Sequence, residues 1–227
     1  MPDLDILLIL AFLFGGYLCG CFNTAFLLAK IKKVNIMESG SKNPGASNAM
    51  VTMGWKAGVL VGLIDILKCA IPVFLAGLLF PATPELRFFA ALGAILGHMF
   101  PFYLKFKGGK GLACLVGALL AIHPLAFAVG GLIIIILTLA TDYIVISTYT
   151  LSLLYPVLAF FYGRYLGGSG IICCAVASVT SALIIGKHFI NFKRLLAGTE
   201  IGLRGAHSGK YRKDKAEEKK DEEKNED

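Results

Sequence analysis

The sequence predicts an all-α fold: a polytopic bundle of about seven transmembrane helices, N-terminus outside and C-terminus cytoplasmic. Three observations lead there. Of the 227 residues, 56% are hydrophobic and only 16% charged, where a soluble globular chain carries about 25% charged residues. Apolar runs of roughly 16–22 residues recur along the chain, the length that crosses a hydrocarbon core about 30 Å thick. Lysine and arginine collect in alternate loops rather than all along the chain. One bundle over residues 1–204 and a charged tail over 205–227 account for the length.

The elements follow in order. The start, 1-MPDLDILLILAFLFGGYLCGCF-22, carries two aspartates and no positive flank. A cleaved signal peptide shows the reverse, so this is read as a retained first span over about 5–29. The segment 30-KIKKVNIMESGSKNPGASNAMVTMGWKAG-58 is too polar for lipid and forms a loop. Further spans are expected at about 58–80, 88–104, 111–122, 125–141, 144–162 and 171–186, with a basic loop after the last. The fourth is short and ends at the His123–Pro124 turn.

Counting basic residues on alternate sides sets the orientation. One side receives Lys30, Lys32, Lys33, Lys42, Lys56, Lys105, Lys107, Lys110, Lys187, Lys193, Arg194 and Arg204. The other receives Arg87 and Arg164. The basic side is cytoplasmic by the positive-inside rule. The parity of the termini depends on His123–Pro124 being a real turn. From Gly205 onward lysine alternates with glutamate and aspartate with no apolar face. Such a segment buries too little surface to offset its ordering entropy and is expected to be disordered. Its basic first half beside the bilayer fits contact with anionic lipid.

The formal net charge is +7. Nucleic acid is excluded as the partner, because the basic residues sit in short loops between apolar spans; orientation and anionic ligands explain them better. The six cysteines, Cys19, Cys21, Cys69, Cys114, Cys173 and Cys174, all lie in or at the edge of apolar runs. They form no CxxC pair and no Cys/His metal spacing, so they read as small buried hydrophobes.

Three polar clusters interrupt the apolar pattern: 39-SGSKNPGASN-48, 105-KFKGGKG-111 and 187-KHFINFKRLLAGTE-200. By the topology above all three emerge at the cytoplasmic face. Glycine has no Cβ, so Gly108, Gly109 and Gly111 let backbone N–H groups curl around an anion. The following span begins there, adding the partial positive charge of a helix N-terminus. Lys105, Lys107 and Lys110 add full charges. The arrangement suits a phosphate, although GxxxxGK[ST] spacing is missing. Ser41, Asn43, Ser47 and Asn48 surround Pro44-Gly45. They either ligate phosphate and glycerol hydroxyls or stabilise the turn. Asp65 and Lys68, three residues apart on one helix face, read first as a structural ion pair and second as site-lining.

Four histidines are present, and a His followed five residues later by Asp would mark a familiar acyltransferase dyad. The positions five after His98, His123, His188 and His207 hold Tyr103, Ala128, Lys193 and Arg212, so that dyad is absent. His188, among Lys187, Asn191, Lys193, Arg194 and Glu200, is placed to donate to a phosphate or polarise a carbonyl.

Together the clusters resemble the PlsY family of integral-membrane acylphosphate:glycerol-3-phosphate acyltransferases. The likeness runs to about residue 204. The family's first motif is similar to GSGNxGATNxxR, and 40-GSKNPGASNAMV-51 follows it. Its second, GHxFPxFLxFKGGKG, is matched by 97-GHMFPFYLKFKGGKG-111, and its third, RHxxNIxRLxxGtE, by 187-KHFINFKRLLAGTE-200. The resemblance implies acyl transfer from acyl phosphate to the sn-1 hydroxyl of glycerol 3-phosphate. Lysophosphatidic acid and phosphate would form at the cytoplasmic face of a bacterial plasma membrane, without metal or organic cofactor. Functional coupling to an enzyme that forms acyl phosphate is a further expectation. Matched positions assign Ser41, Lys110, His188 and Asn191 to the reaction. They assign Lys42, Asn43, Gly45, Ser47, Asn48, His98, Lys105, Lys107, Gly108, Gly109, Gly111, Lys187, Lys193, Arg194 and Glu200 to substrate and phosphate. Val51 stands where the first motif has arginine. Lys42 occupies a family glycine position and Lys187 a family arginine. The stretch 142-DYIVISTY-149 replaces an Arg-Tyr-x-Ser pattern with Asp142 and Thr148. The alternatives are a divergent member of the family with another acyl donor or acceptor, or a small transporter for phosphate or an organic phosphate. A transporter places its binding groups near the bilayer midplane in paired repeats, whereas here the clusters share one end and no repeat is visible.

Overall fold

The computed structural model describes residues 5–207. Among them all regular structure is helical: α1 Ile6–Cys21, α2 Thr24–Ile31, α3 Ala46–Met53, α4 Trp55–Leu79, α5 Glu85–Met99, a 3₁₀ turn Phe102–Leu104, α6 Leu112–Ile122, α7 Pro124–Thr141, α8 Ile144–Tyr165, α9 Gly170–Leu196 and α10 Leu203–His207.

Helix starts are written in the sequence. Asp5 Oδ1 accepts from the Leu7 N–H at 2.8 Å, and Asn23 Oδ1 from that of Phe26 at 2.8 Å. Asn23 breaks the first apolar run into α1 and α2, which together cover the 26 residues Ile6–Ile31. His123 is a true break: its backbone is extended, its Nδ1 accepts from the Leu125 N–H at 3.1 Å, and Pro124 begins α7. Proline fits the first helical position because that N–H lacks an intrahelical partner.

The apolar segments expected as about seven spans resolve into six helices of spanning length and one short one. At about 1.5 Å per residue, the 11 residues of α6 cover about 16 Å, roughly half the hydrocarbon core. Its residues from Cys114 to Leu119 are buried, because α6 is the central packing element rather than a lipid-facing one. The first turn of α6 and the last turns of α7 line the same cavity, so the two helices form an antiparallel hairpin about His123–Pro124.

Two expectations about loops need correction. The first loop contains α3, and the expected basic loop after residue 186 is the continuation of α9 to Leu196. No glycine or proline follows Gly186 until Gly198, whose φ of +69° stops the helix. Residues 205–207 of the tail expected to be disordered from Gly205 lie in α10, and its remainder lies outside the described residues.

Packing of α1 on α5 uses two GxxxG pairs. A Cβ on Gly16 would lie 2.4 Å from the Ala90 carbonyl oxygen, and one on Gly20 2.0 Å from that of Ala94. Reciprocally, a Cβ on Gly93 would lie 2.0 Å from the Leu13 carbonyl oxygen, and one on Gly97 2.0 Å from that of Tyr17. Lipid supplies no hydrophobic drive between helices, so close backbone approach through small residues carries the association. Leu63, Leu67, Ile71, Phe74 and Leu78 of α4 and Leu132, Ile136 and Leu139 of α7 face outward, as lipid contact requires. Thr148, the replacement in the 142–149 stretch, is buried and bonds back to the Ile144 carbonyl at 2.8 Å.

Candidate active site

All three polar clusters open onto one cavity of about 490 Å³. Ser41, Gly45, Ser47 and Asn48 come from the first, Lys110 and Gly111 from the second with His98 before it, and His188, Asn191, Arg194 and Glu200 from the third. The wall continues as Ile66, Val116, Phe127, Gly131 and Ile134 of α4, α6 and α7, so a polar end grades into an apolar trough. A second cavity of about 500 Å³, between α6, α7 and α8, has no lysine, arginine or carboxylate in its lining.

Asn48 is 2% exposed and spends its amide on the loop: Nδ2 donates to the Ile36 and Ser39 carbonyls at 3.2 and 3.0 Å, and Oδ1 accepts from the Ser41 N–H at 2.9 Å. It is the internal brace of the first motif. The loop delivers Gly45 as the N-cap of α3, and the second motif delivers Gly111 as that of α6. Neither end has a side-chain cap, and Gly45, Ala46, Gly111 and Leu112 all line the cavity. Two helix N-termini with uncapped first turns thus point partial positive charge into one space.

The expected glycine nest is built differently. The N–H groups of Gly108 and Gly109 donate to the Met99 and His98 carbonyls at 3.0 Å each, so neither is left for an anion. These glycines permit a close wrap: a Cβ on Gly109 would sit 2.1 Å from His98 Nε2. Gly111, at φ +92°, turns the chain into α6. Lys110 projects into the cavity and donates to Asn191 Oδ1 at 2.5 Å, while Asn191 Nδ2 donates to Glu200 Oε1 at 2.5 Å. Burial lowers Lys110 from its usual 10.5 to about 8, with Glu200 opposing and Arg194 and Lys187 reinforcing the shift.

Eight sequence-predicted residues do not line the cavity. Lys42, Lys105, Lys107 and Lys193 are exposed, and Lys42 and Lys105 take φ of +56° and +51° in surface turns. Asn43 closes the turn with its carbonyl on the Gly45 N–H at 3.0 Å. Lys187 donates to the Met99 carbonyl at 3.2 Å and lies 4.2 Å above the Phe100 ring. It falls two turns, about 10 Å, before Arg194 along α9. Gly108 and Gly109 serve the wrap described above.

Asp65 belongs to the lining, the reading placed second from sequence. Its Oδ1 lies 2.8 Å from Lys68 Nζ, close but not aligned as a hydrogen bond. Lys68 Nζ also reaches the Phe22 carbonyl at 2.6 Å and His98 Nδ1 at 2.9 Å. An ammonium only donates, so His98 Nδ1 accepts and Nε2 carries the proton. His188 is the converse: its Nδ1 lies 2.9 Å from the Ile184 carbonyl oxygen, which only accepts, so Nδ1 carries the proton and Nε2 keeps a lone pair. Sequence reasoning missed both tautomers and the wall residues 201–203: His98 and the wall depend on neighbours far apart in the chain, and His188 on which way its ring turns against the Ile184 carbonyl one helical turn back. Among the described residues no three His, Cys, Asp or Glu side chains gather as a metal site.

Fold and cavity together define a multi-pass helical membrane protein whose cavity runs from a basic, polar end into an apolar trough. A family model described as glycerol-3-phosphate acyltransferase matches residues 10–198. Glycerol-3-phosphate acyltransferase 1 of Oceanobacillus iheyensis is 35% identical over 195 residues, 83% of this chain and 91% of that one. The glycerol-3-phosphate acyltransferase of Trichlorobacter lovleyi is 38% identical over 187 residues, 82% of this chain and 93% of its own. The crystal structure of PlsY, an integral membrane glycerol 3-phosphate acyltransferase, in its glycerol 3-phosphate form superposes with TM-score 0.77 at 33% identity, covering 86% of this chain and 95% of that one. Its lysophosphatidic acid form gives 0.74 at 33% identity, covering 86% and 94%. The chain belongs to the glycerol-3-phosphate acyltransferase family.

Proposed function

We propose that the protein transfers a fatty acyl group from acyl phosphate to the sn-1 hydroxyl of glycerol 3-phosphate, releasing lysophosphatidic acid and inorganic phosphate. The observation that carries this reading is the single cavity in which His98, Lys110, His188 and Arg194 meet beside an apolar trough. Two phosphates must be held at once, and two uncapped helix N-termini plus Lys110 and Arg194 supply the positive potential. The trough of Val116, Phe127, Gly131 and Ile134 takes the acyl chain.

An acyl phosphate is already activated, so no protein nucleophile is needed. The His188 Nε2 lone pair accepts a hydrogen bond from the sn-1 hydroxyl and orients it toward the acyl carbon. The hydroxyl oxygen bonds to that carbon, the carbon–oxygen bond to phosphate breaks, and the hydroxyl proton ends on a phosphate oxygen. The His98 Nε2–H and Lys110 ammonium stabilise negative charge as it builds on the oxygens. Positioning and charge neutralisation supply the rate. The cavity faces the cytoplasm, a placement supported by the Lys and Arg count on that side, and acyl phosphate reaches it from an enzyme that makes that compound nearby.

Purified protein is assayed with palmitoyl phosphate and glycerol 3-phosphate. Formation of lysophosphatidic acid with stoichiometric phosphate is the expected result. No product, with phosphate uptake into liposomes instead, overturns the reading in favour of transport.

A further inference from the structure

Asp142 replaces a basic residue of the family's pattern, reverses its charge, and has no place in the chemistry above. It ends α7 with φ +71°, its own N–H donating to the Thr138 carbonyl at 2.8 Å. Its other contacts reach 60 residues along the chain. The Asp142 carbonyl accepts from the Leu203 N–H at 2.8 Å, and its Oδ1 from the Arg204 N–H at 2.9 Å. The Arg204 guanidinium adds a contact to the Leu139 carbonyl at 3.4 Å. Gly202 is buried against the same carboxylate, where a Cβ would fall 1.9 Å from Oδ2.

What is held there matters. After Gly198 the chain turns back, with the Thr199 N–H on the Arg194 carbonyl at 2.9 Å, and Glu200 bonds Asn191, which bonds Lys110. Ile201, Gly202 and Leu203 then form part of the cavity wall. The segment is therefore pinned at Glu200 on one side and at Asp142 on the other. α7 is the least buried of the spanning helices among the described residues, so this clamp ties its C-terminal end to the wall.

We infer that Asp142 is a positioning residue: a latch that holds segment 200–204 across the cavity and thereby sets Glu200, Asn191 and Lys110 for the acceptor's phosphate. Its kinetic consequence rests on the acyl-transfer reading; its structural consequence does not.

Three variants test it. Asp142→Ala removes the side-chain acceptor, and Gly202→Ala pushes the segment off without touching the α7 terminus. Asp142→Asn keeps an acceptor oxygen and tolerates the left-handed backbone. Asp142→Ala loses one bond, from the Arg204 N–H to Oδ1, and Gly202→Ala displaces that bond together with the one from the Leu203 N–H to the Asp142 carbonyl. For both alanine variants KM for glycerol 3-phosphate therefore rises about tenfold, while kcat falls less than about threefold. Trypsin cleavage after Arg204 accelerates by about the same tenfold, because it reads local opening of the segment. Asp142→Asn matches the parent in both readouts. An Asp142→Ala variant indistinguishable from the parent overturns the latch. So does Gly202→Ala behaving as the parent while Asp142→Ala fails, since Asp142 would then be only a helix stop. A parent without acyl transfer refutes the proposed function, and the proteolysis comparison still judges the latch.

Discussion

Replacing Lys110 by alanine tests the site most directly. The ammonium reaches Asn191 Oδ1 at 2.5 Å in a half-buried position, close to the uncapped N-terminus of α6. A unit charge about 4 Å from a phosphate charge, at an effective dielectric of about 20, contributes about 4 kcal/mol. Desolvation of the lysine, already visible in its lowered pKa, takes back part of that, leaving about 3 kcal/mol. At about 1.4 kcal/mol per decade this is a loss of about 150-fold in kcat/KM. The assay is phosphate release from palmitoyl phosphate with glycerol 3-phosphate varied, corrected for hydrolysis without enzyme. Detergent elution volume and thermal unfolding stay parental, because the side chain supports no core packing. Activity within about threefold of the parent would refute the placement of the phosphate site.

Other outcomes follow from the same geometry. Burial lowers Lys110 to about 8, so the free enzyme loses its ammonium as pH rises through that value. kcat/KM therefore declines above about pH 8, while kcat falls less because bound phosphate keeps the proton on. A flat kcat/KM from about pH 7 to 9.5 contradicts this. Val51 lines the cavity where the family's first motif has arginine. Val51→Arg adds a charge-assisted bidentate donor of about 1.5 kcal/mol or more, so KM for glycerol 3-phosphate drops about tenfold; an unchanged or higher KM argues against a phosphate there. Gly97→Leu drives a side chain into the Tyr17 carbonyl of α1 and costs about 3 kcal/mol, read as earlier unfolding in detergent. At Gly15 an added Cβ meets nothing within 4 Å, so Gly15→Leu is tolerated. Equal melting of the two would remove the packing argument.

The helices and the three motifs were legible because their signals are local. Apolar length marks a span, His123–Pro124 marks a break, and the run 97-GHMFPFYLKFKGGKG-111 carries its lysines and glycines in sequence. The break at Asn23, inside what reads as one span over about 5–29, was not legible. The legible part stops where direction and partner matter. Lys105, Lys107 and Lys110 look alike in the chain, yet only Lys110 lines the cavity, because Gly108 and Gly109 bond back onto α5 and aim the next residue inward. The GxxxG pairs of α1 and α5 were visible as spacing, but spacing does not name the partner helix.

By itself the sequence determined an all-helical membrane chain with its polar and basic clusters gathered at one end, because hydropathy and residue type are properties of the residues themselves. Tertiary structure alone decided that α6 is a buried half-length helix, that two helix N-termini rather than a nest of paired glycines face the cavity, and which histidine donates and which accepts. It also turned Asp142 from an unexplained reversal of charge into the anchor of the returning segment. Most of these depend on groups far apart in the chain coming together, such as Lys68 with His98 and Asp142 with Leu203, and no local pattern encodes that meeting.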